Sequence, residues 1–153
     1  MKPEETIDLN VKSLWHAISR MYNEEAGHYG STMATANVLL NIDIENGTPS
    51  TALGPKMGME TTSLSRTLKS MEEKGLIYRK PNPNDGRGVL ICLTEFGIEN
   101  RLISRDKVYY FNELVGRRIP RNKINTFLEV AQEVTRMITE KEFQFPVHES
   151  KNK

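Results

Sequence analysis

Thr61-Thr62-Ser63-Leu64-Ser65-Arg66-Thr67-Leu68-Lys69-Ser70-Met71-Glu72-Glu73-Lys74-Gly75-Leu76-Ile77-Tyr78-Arg79-Lys80 is the stretch whose reading decides the fold. At about 100° per residue, Leu64, Leu68 and Met71 fall in one narrow stripe, which predicts a helix over residues 61–74 with that stripe on a core. Gly75 closes it. Leu76–Lys80 and Val89–Leu93 are short, apolar and partly alternating, as strands are. Between them lies Pro81-Asn82-Pro83-Asn84-Asp85-Gly86-Arg87-Gly88, turn chemistry that predicts a β-hairpin with a long loop.

Upstream, Ile7, Val11, Leu14, Ile18 and Met21 recur at three- and four-residue spacing, so residues 6–27 predict an amphipathic helix, with a break at Gly27 and Gly30. A second, more buried helix carries Met33, Ala36, Val38, Leu39, Leu40 and Ile42 and ends at Asn46-Gly47. Thr48-Pro49 reads as an N-cap with proline at the first helical position. The short helix that follows runs to Met57, carries Pro55 inside it and is closed by Gly58. Downstream, Thr94 caps a long helix reaching Arg118, Pro120 breaks it, and a last helix carries Ile124, Phe127, Leu128, Ala131, Val134 and Ile138. The tail from Pro146 is polar and expected to be loose. The fold class is mainly α with a small β-hairpin wing: a winged helix-turn-helix with extra N- and C-terminal helices.

The bulk properties agree with one globular domain. The chain has 153 residues, 37% hydrophobic and 27% charged, with net charge +1. No apolar run reaches membrane-spanning length, and the start, MKPEETIDLN, is acidic and polar, so no membrane segment or signal peptide is expected. The single cysteine, Cys92, allows no intrachain disulfide; together these give a cytoplasmic expectation. Its place on an alternating strand predicts a buried, inert thiol. Three histidines and one cysteine show no zinc-ligand spacing, and no glycine-rich phosphate loop or activated serine is present. No enzyme activity, catalytic residue, metal or cofactor is expected.

Charge is unevenly placed. Residues 1–47 hold three basic and seven acidic side chains, whereas residues 48–91 hold seven and four. The basic middle suits a local phosphate-binding surface. On the helix at 61–74, Thr62, Arg66 and Lys69 lie opposite the apolar stripe, with Ser63, Ser65 and Ser70 on the flanks. Arginine reads guanine edges as a fork, hydroxyls contact bases or phosphates, and a helix N-terminus, here at Thr61, favours phosphate. The alternative is a plain solvated face.

In the wing, an arginine at a hairpin tip, Arg87, can enter a minor groove. Asp85 would repel phosphate as a free contact. It reads instead as a brace for Arg87, or for Arg79, through a charge-assisted hydrogen bond. Arg79 and Lys80 at the hairpin base add phosphate contacts. The alternative is an exposed turn in which Asp and Gly serve backbone geometry alone.

The ordered run Leu64 to Arg79, then Asp85-Gly86-Arg87, then Leu93-Thr94-Glu95-Phe96-Gly97 resembles the multiple-antibiotic-resistance regulator (MarR) family. Four motifs recur in order across residues 48–97. The resemblance implies a transcription regulator that binds double-stranded DNA as a homodimer. It places Thr62, Ser63, Ser65, Arg66 and Lys69, with Thr61 a further candidate at the helix start, on a groove-facing helix, Arg87 in the minor groove and Asp85 behind it. Two departures stand out. Gly54 and Pro55 replace helix formers in the supporting helix, and Gly86 replaces a second wing arginine.

The division expected is residues 31–97 as the DNA-binding lobe, with 1–30 and 98–145 as dimerisation helices. The terminal helices carry more apolar positions than a small winged helix can bury: Ile7, Val11, Leu14, Trp15 and Ile18, then Tyr109, Phe111, Leu114, Ile124, Phe127 and Ile138. The resemblance also implies a cleft for a small aromatic effector, for which Trp15, His16, Tyr22, His28 and Tyr29 are candidates; ordinary core or surface aromatics are the alternative. A winged helix that binds protein without specific DNA binding is the competing function, and it would carry apolar residues on the recognition face.

Overall fold

The computed structural model describes residues 2–143 and 145; the tail expected to be loose from Pro146 lies outside the described residues. After a single 3-10 turn, the elements run α1 (Ile7–Gly27), α2 (Met33–Asn41), β1 (Thr48–Pro49), α3 (Ser50–Met57), α4 (Thr61–Glu73), β2 (Ile77–Asn82), β3 (Asp85–Leu93), α5 (Glu95–Arg118) and α6 (Arg121–Thr139). The fold is mainly helical with one small antiparallel sheet. Among the described residues, no helix is long and apolar enough to cross a membrane. The chain divides between Lys107 and Val108 into two compact units.

The first unit holds the core. Val38, Leu39 and Ile42 from α2 and its end, Leu53 from α3, Leu64, Leu68 and Met71 from α4, and Leu76, Ile77, Ile91 and Leu93 from the hairpin form one buried cluster. The predicted stripe of α4 is therefore the face that packs. Removing each such side chain from water contributes about 1.5–3 kcal/mol. Cys92 is buried as expected, but not by alternation, since Leu90, Ile91, Cys92 and Leu93 are all buried.

Two glycines set the ends of the helices that frame the site. Gly75, at φ +69°, closes α4 with a pair of reversed hydrogen bonds, Gly75 N–H to Glu72 O at 3.0 Å and Leu76 N–H to Met71 O at 2.9 Å. Gly58, at φ +61°, does the same for α3. This left-handed closure is what glycine tolerates without a Cβ penalty. α3 remains helical through Pro55, and a Cβ on Gly54 would stand only 3.2 Å from the Met59 carbonyl oxygen. The small residue there lets α3 turn closely into α4.

Two sequence expectations need correction. Thr48-Pro49 does not open α3 as cap and first residue. It forms β1, paired antiparallel to Ile91 and Leu90, and the sheet order is β1-β3-β2. The Thr48 hydroxyl instead accepts the Asp43 N–H at 2.8 Å, and Pro49 precedes the helix at Ser50. The hairpin loop is also short. The strands continue until Asn82 faces Asp85, leaving Pro83-Asn84 as the turn, with an irregularity at Pro81/Asn82. Asn82 Oδ1 accepts the Asn84 N–H at 3.0 Å, a side-chain turn that pins the start of the loop.

In the second unit, α6 follows Pro120 and buries none of its residues. Arg136 there gathers Glu133, Glu140 and Glu142. These carboxylates, Glu133 foremost, raise the guanidinium pKa further above its ordinary value.

Candidate nucleic-acid interface

The site begins at the N-terminus of α4. Glu60 occupies the cap position with no side-chain cap, and the first intrahelical bond is Leu64 N–H to Glu60 O at 3.0 Å. The amides of Thr61, Thr62 and Ser63 thus precede the helical ladder, the arrangement that receives an anion. Burial of Leu64, Leu68 and Met71 turns the other side outward, and Thr61, Thr62, Ser63, Ser65, Arg66 and Lys69 are all exposed. No large apolar side chain of α4 is exposed.

Beside this helix a surface groove is lined by Ser50, Thr51, Gly54 and Pro55 of α3, by Thr61, Leu64, Ser65 and Leu68 of α4, and by Arg79 of β2. Arg79 therefore stands against the same side of α4 as Ser65. It is not a free cation: its Nε donates to Glu72 Oε2 at 3.1 Å. Among the described residues, Arg66, Lys69, Lys80 and Arg87 make no salt bridge with an acid, and all four are exposed.

The wing departs from expectation in one respect. Asp85 does brace the wing, but through the backbone: its Oδ1 accepts the Arg87 N–H at 3.1 Å. A Cβ on Gly88 would lie 2.9 Å from Asp85 Oδ2, so the carboxylate occupies the space that glycine leaves. The predicted charge-assisted bond from a guanidinium to Asp85 is not formed. Arg79 stands opposite Ile91, six residues along β3 from Asp85, which is roughly 20 Å in an extended strand. Arg87 itself lies on β3, two residues past the turn's last strand pair, not at a loop tip.

Thr94 ties the hairpin to α4. Its hydroxyl donates to the Gly75 carbonyl at 2.6 Å and accepts the Gly97 N–H at 2.9 Å, capping α5 as expected. Lys74 adds a second tie, its Nζ donating to the Gly30 carbonyl at 3.1 Å.

The five effector candidates are placed as follows along α1 and just beyond its end. Trp15 and Tyr22 share one stripe of α1, about 10 Å apart along the axis, with Trp15 exposed and Tyr22 half-buried. Burial pushes the Tyr22 phenol pKa up. His16 lines a shallow groove with Ser13, Ala17, Arg20, Met21 and Glu24, all of α1, that includes none of the other four. His28 follows the last turn of α1. The Tyr29 ring lies 5.4 Å from the ammonium of Lys107, which also pairs with Glu25 at 2.5 Å.

Sequence reasoning missed Glu72, Lys74 and Lys107. For Glu72 a signal existed. It lies seven residues after Ser65 and four after Leu68, so helical phasing puts it on the side that faces the hairpin. The partners of Lys74 and Lys107, Gly30 and Glu25, are far away in sequence and carry no local signal.

Comparison with known proteins bears on the same region. Residues 32–89 match the model of the MarR family. The multiple antibiotic resistance protein MarR of Escherichia coli K12 is 35% identical over 78 residues, 51% of this chain and 54% of that protein. The chain thus spans about half the length of this curated relative. Among solved structures, that of the transcriptional regulator SlyA superposes with a TM-score of 0.78 at 18% identity, covering 89% of this chain and 96% of that one. CouR from Rhodococcus jostii RHA1, solved bound to p-coumaroyl-CoA, gives a TM-score of 0.75 at 21% identity, covering 86% and 92%. At these identities the structural likeness establishes the winged-helix fold.

Proposed function

We infer, from the match of residues 32–89 to the model of the MarR family, that this chain is a sequence-specific DNA-binding transcription regulator. One observation carries the reading: α4 buries Leu64, Leu68 and Met71 and turns hydroxyls and the unpaired Arg66 and Lys69 to solvent. A helix so disposed enters a major groove with its N-terminal residues over base edges. Thr61, Thr62, Ser63, Ser65, Arg66 and Lys69 read or position, Arg79 and Lys80 contact phosphate, and Arg87 enters the minor groove with Asp85 holding its backbone. A protein-binding winged helix would carry apolar side chains on this face, and α4 exposes none of large size.

The working unit is a homodimer on a palindromic operator. Residues 31–97 form the DNA-binding lobe, and 1–30 and 98–145 supply the dimerisation helices. The support is the exposed apolar surface of those helices, with Val11, Leu14 and Trp15 of α1 and Phe127, Leu128 and Val130 of α6 all open to solvent. A two-fold pair would set its recognition helices about 34 Å apart, one turn of the duplex. Operator occupancy makes repression the expected outcome, relieved by a small aromatic effector. The support for an effector is the resemblance to CouR, whose structure holds p-coumaroyl-CoA.

Sequence selection from a random duplex pool with the purified protein tests this. The expected product is an inverted repeat with half-sites one helical turn apart, bound with a steep negative salt dependence. Recovery of no shared sequence would rule out a specific regulator, and a single unpaired half-site would rule out the dimeric mode.

A further inference from the structure

The Glu72–Arg79 pair places a negative charge beside a surface assigned to DNA, where electrostatics alone would disfavour it. Its stabilising value is small. The two side chains are 43% and 37% exposed, and a pair so open to water gains little from its charges. Its geometry is specific, however. Thr61, Ser65, Leu68 and Glu72 follow one another at four, three and four residues along a single stripe of α4. The first three line the groove that Arg79 also lines. Glu72, at the far end of the stripe, takes the guanidinium by its Nε at 3.1 Å. An arginine has five donors in a planar fork. With Nε held, the two terminal amines stay available and the plane of the fork is fixed relative to α4.

We propose that Glu72 is a positioning residue for DNA binding: it holds the Arg79 guanidinium by Nε so that the terminal amines meet a backbone phosphate beside the Thr61–Ser65 turn. The phosphate contact then fixes the depth and register of α4 in the groove, because the anchor is tied to the helix itself as well as to the wing strand. A lysine cannot serve both partners in this planar way. This inference rests on the DNA-binding reading above and predicts an effect opposite to that of net charge. Removing an acid from a DNA-binding face should strengthen binding, whereas removing this acid should weaken it.

The test compares the full-length wild type with Glu72→Gln, Arg79→Gln, the double variant and Arg79→Lys. The probe is the duplex the wild type selects from a random pool, or a mixed-sequence duplex of about 30 base pairs if none is selected, titrated across salt concentrations. Glu72→Gln is expected to bind about fivefold more weakly, with a salt slope shallower by about one, the signature of one lost phosphate contact. Arg79→Gln should match it, the double variant should be no weaker than Arg79→Gln, and Arg79→Lys should lose a similar factor despite keeping its charge. Melting temperatures within a few degrees of wild type would show that folding is intact. Arg79→Lys carries the test if Glu72→Gln does not fold. Binding by Glu72→Gln equal to or tighter than wild type, or by Arg79→Lys equal to wild type, overturns the proposal while leaving the regulator reading in place. Failure of the wild type to bind either duplex overturns both.

Discussion

Gly97 lies so close to the carbonyl oxygen of Leu76 that a β-carbon built on it would overlap that oxygen. The same carbonyl accepts the Thr94 N–H at 3.1 Å, so the first turn of α5 is seated directly on the residue that leads out of α4. Neither backbone can retreat. Leu76 is fixed by its N–H to the Met71 carbonyl, and Gly97 by its N–H to the Thr94 hydroxyl. Gly97→Ala is therefore expected to destabilise the fold by about 2–3 kcal/mol, the cost of forcing packed backbones apart. Gly27 has nothing within 4 Å of its virtual β-carbon and lies in α1, so Gly27→Ala should gain up to about 1 kcal/mol. Urea unfolding of the two variants checks this. Equal midpoints would mean that the contact is not tight in solution.

Lys107 gives a pH prediction. Its ammonium, donating to Glu25, holds the Glu25 carboxyl below its usual range. Glu25 in turn, with Tyr29, raises the Lys107 pKa above its own ordinary value. The Glu25 contribution to stability is present above the ordinary carboxylate value and disappears as pH falls through the lowered folded one. The Lys107 contribution is present below the ordinary ammonium value and disappears as pH rises through the raised folded one. The pair thus supports the fold between about pH 4 and pH 10. Both groups are solvent-exposed, so the effect is small and screened by salt. Glu25→Gln should flatten the acid limb of a plot of melting temperature against pH at low ionic strength. Superimposable limbs for wild type and variant would show that the pair does not persist in solution.

What could be read from the sequence, and what could not, divides along the range of the interactions. Helical period and glycine stops located α4 within a residue of its end, because Leu64, Leu68 and Met71 repeat locally and Gly75 acts on its own backbone. The third strand was hidden because Thr48-Pro49 has an equally good local reading as a helix start; only pairing with Ile91 and Leu90 decides between them. The long loop failed for a related reason. Pro81 and Asp85 carry turn propensity, yet register with β3 holds Pro81 opposite Val89. At the site, exposure of Arg66 and Lys69 followed from phasing alone. The engagement of Arg79 by Glu72 required knowing that β2 returns along α4, and Asp85 bonded to backbone because its short side chain reaches an amide two residues on.

The recognition helix and the wing should fail differently. Arg66 stands on the outward face of α4, where a lost base contact costs about 1–3 kcal/mol at one position. Arg66→Ala is expected to relax the preference for one base pair in each half-site. Arg87→Ala should weaken binding across sequences and reduce the advantage of A·T pairs under the wing, since a narrow groove attracts the cation. Asp85→Ala should fall between, because it removes the 3.1 Å hold on the Arg87 backbone without removing the charge. Binding of a set of singly substituted operators reads all three. Identical profiles for Arg66→Ala and Arg87→Ala would refute the division of labour.

Dimerisation is tested on the exposed apolar face of α6. In α6, Phe127 is 51% exposed and Ile138 61%, eleven residues or three turns apart, so they lie on neighbouring parts of one face. Leu114 of α5 is also open, and α6 buries no residue at all. A helix of nineteen residues with no buried side chain has little reason to hold its shape alone, because packing of an apolar face supplies most helical stability in water. Phe127→Asp and Ile138→Asp should each move the sedimentation of the protein from dimer toward monomer at micromolar concentration. Circular dichroism should show helix loss in parallel, since α6 would lose its cover along with the partner. Dependence on protein concentration is the sharper readout: the melting temperature of the wild type should rise with concentration and that of the aspartate variants should not. A wild type that sediments as a monomer, with its full helix content and a concentration-independent melting temperature, would mean that this face is covered by something other than a second copy of the chain.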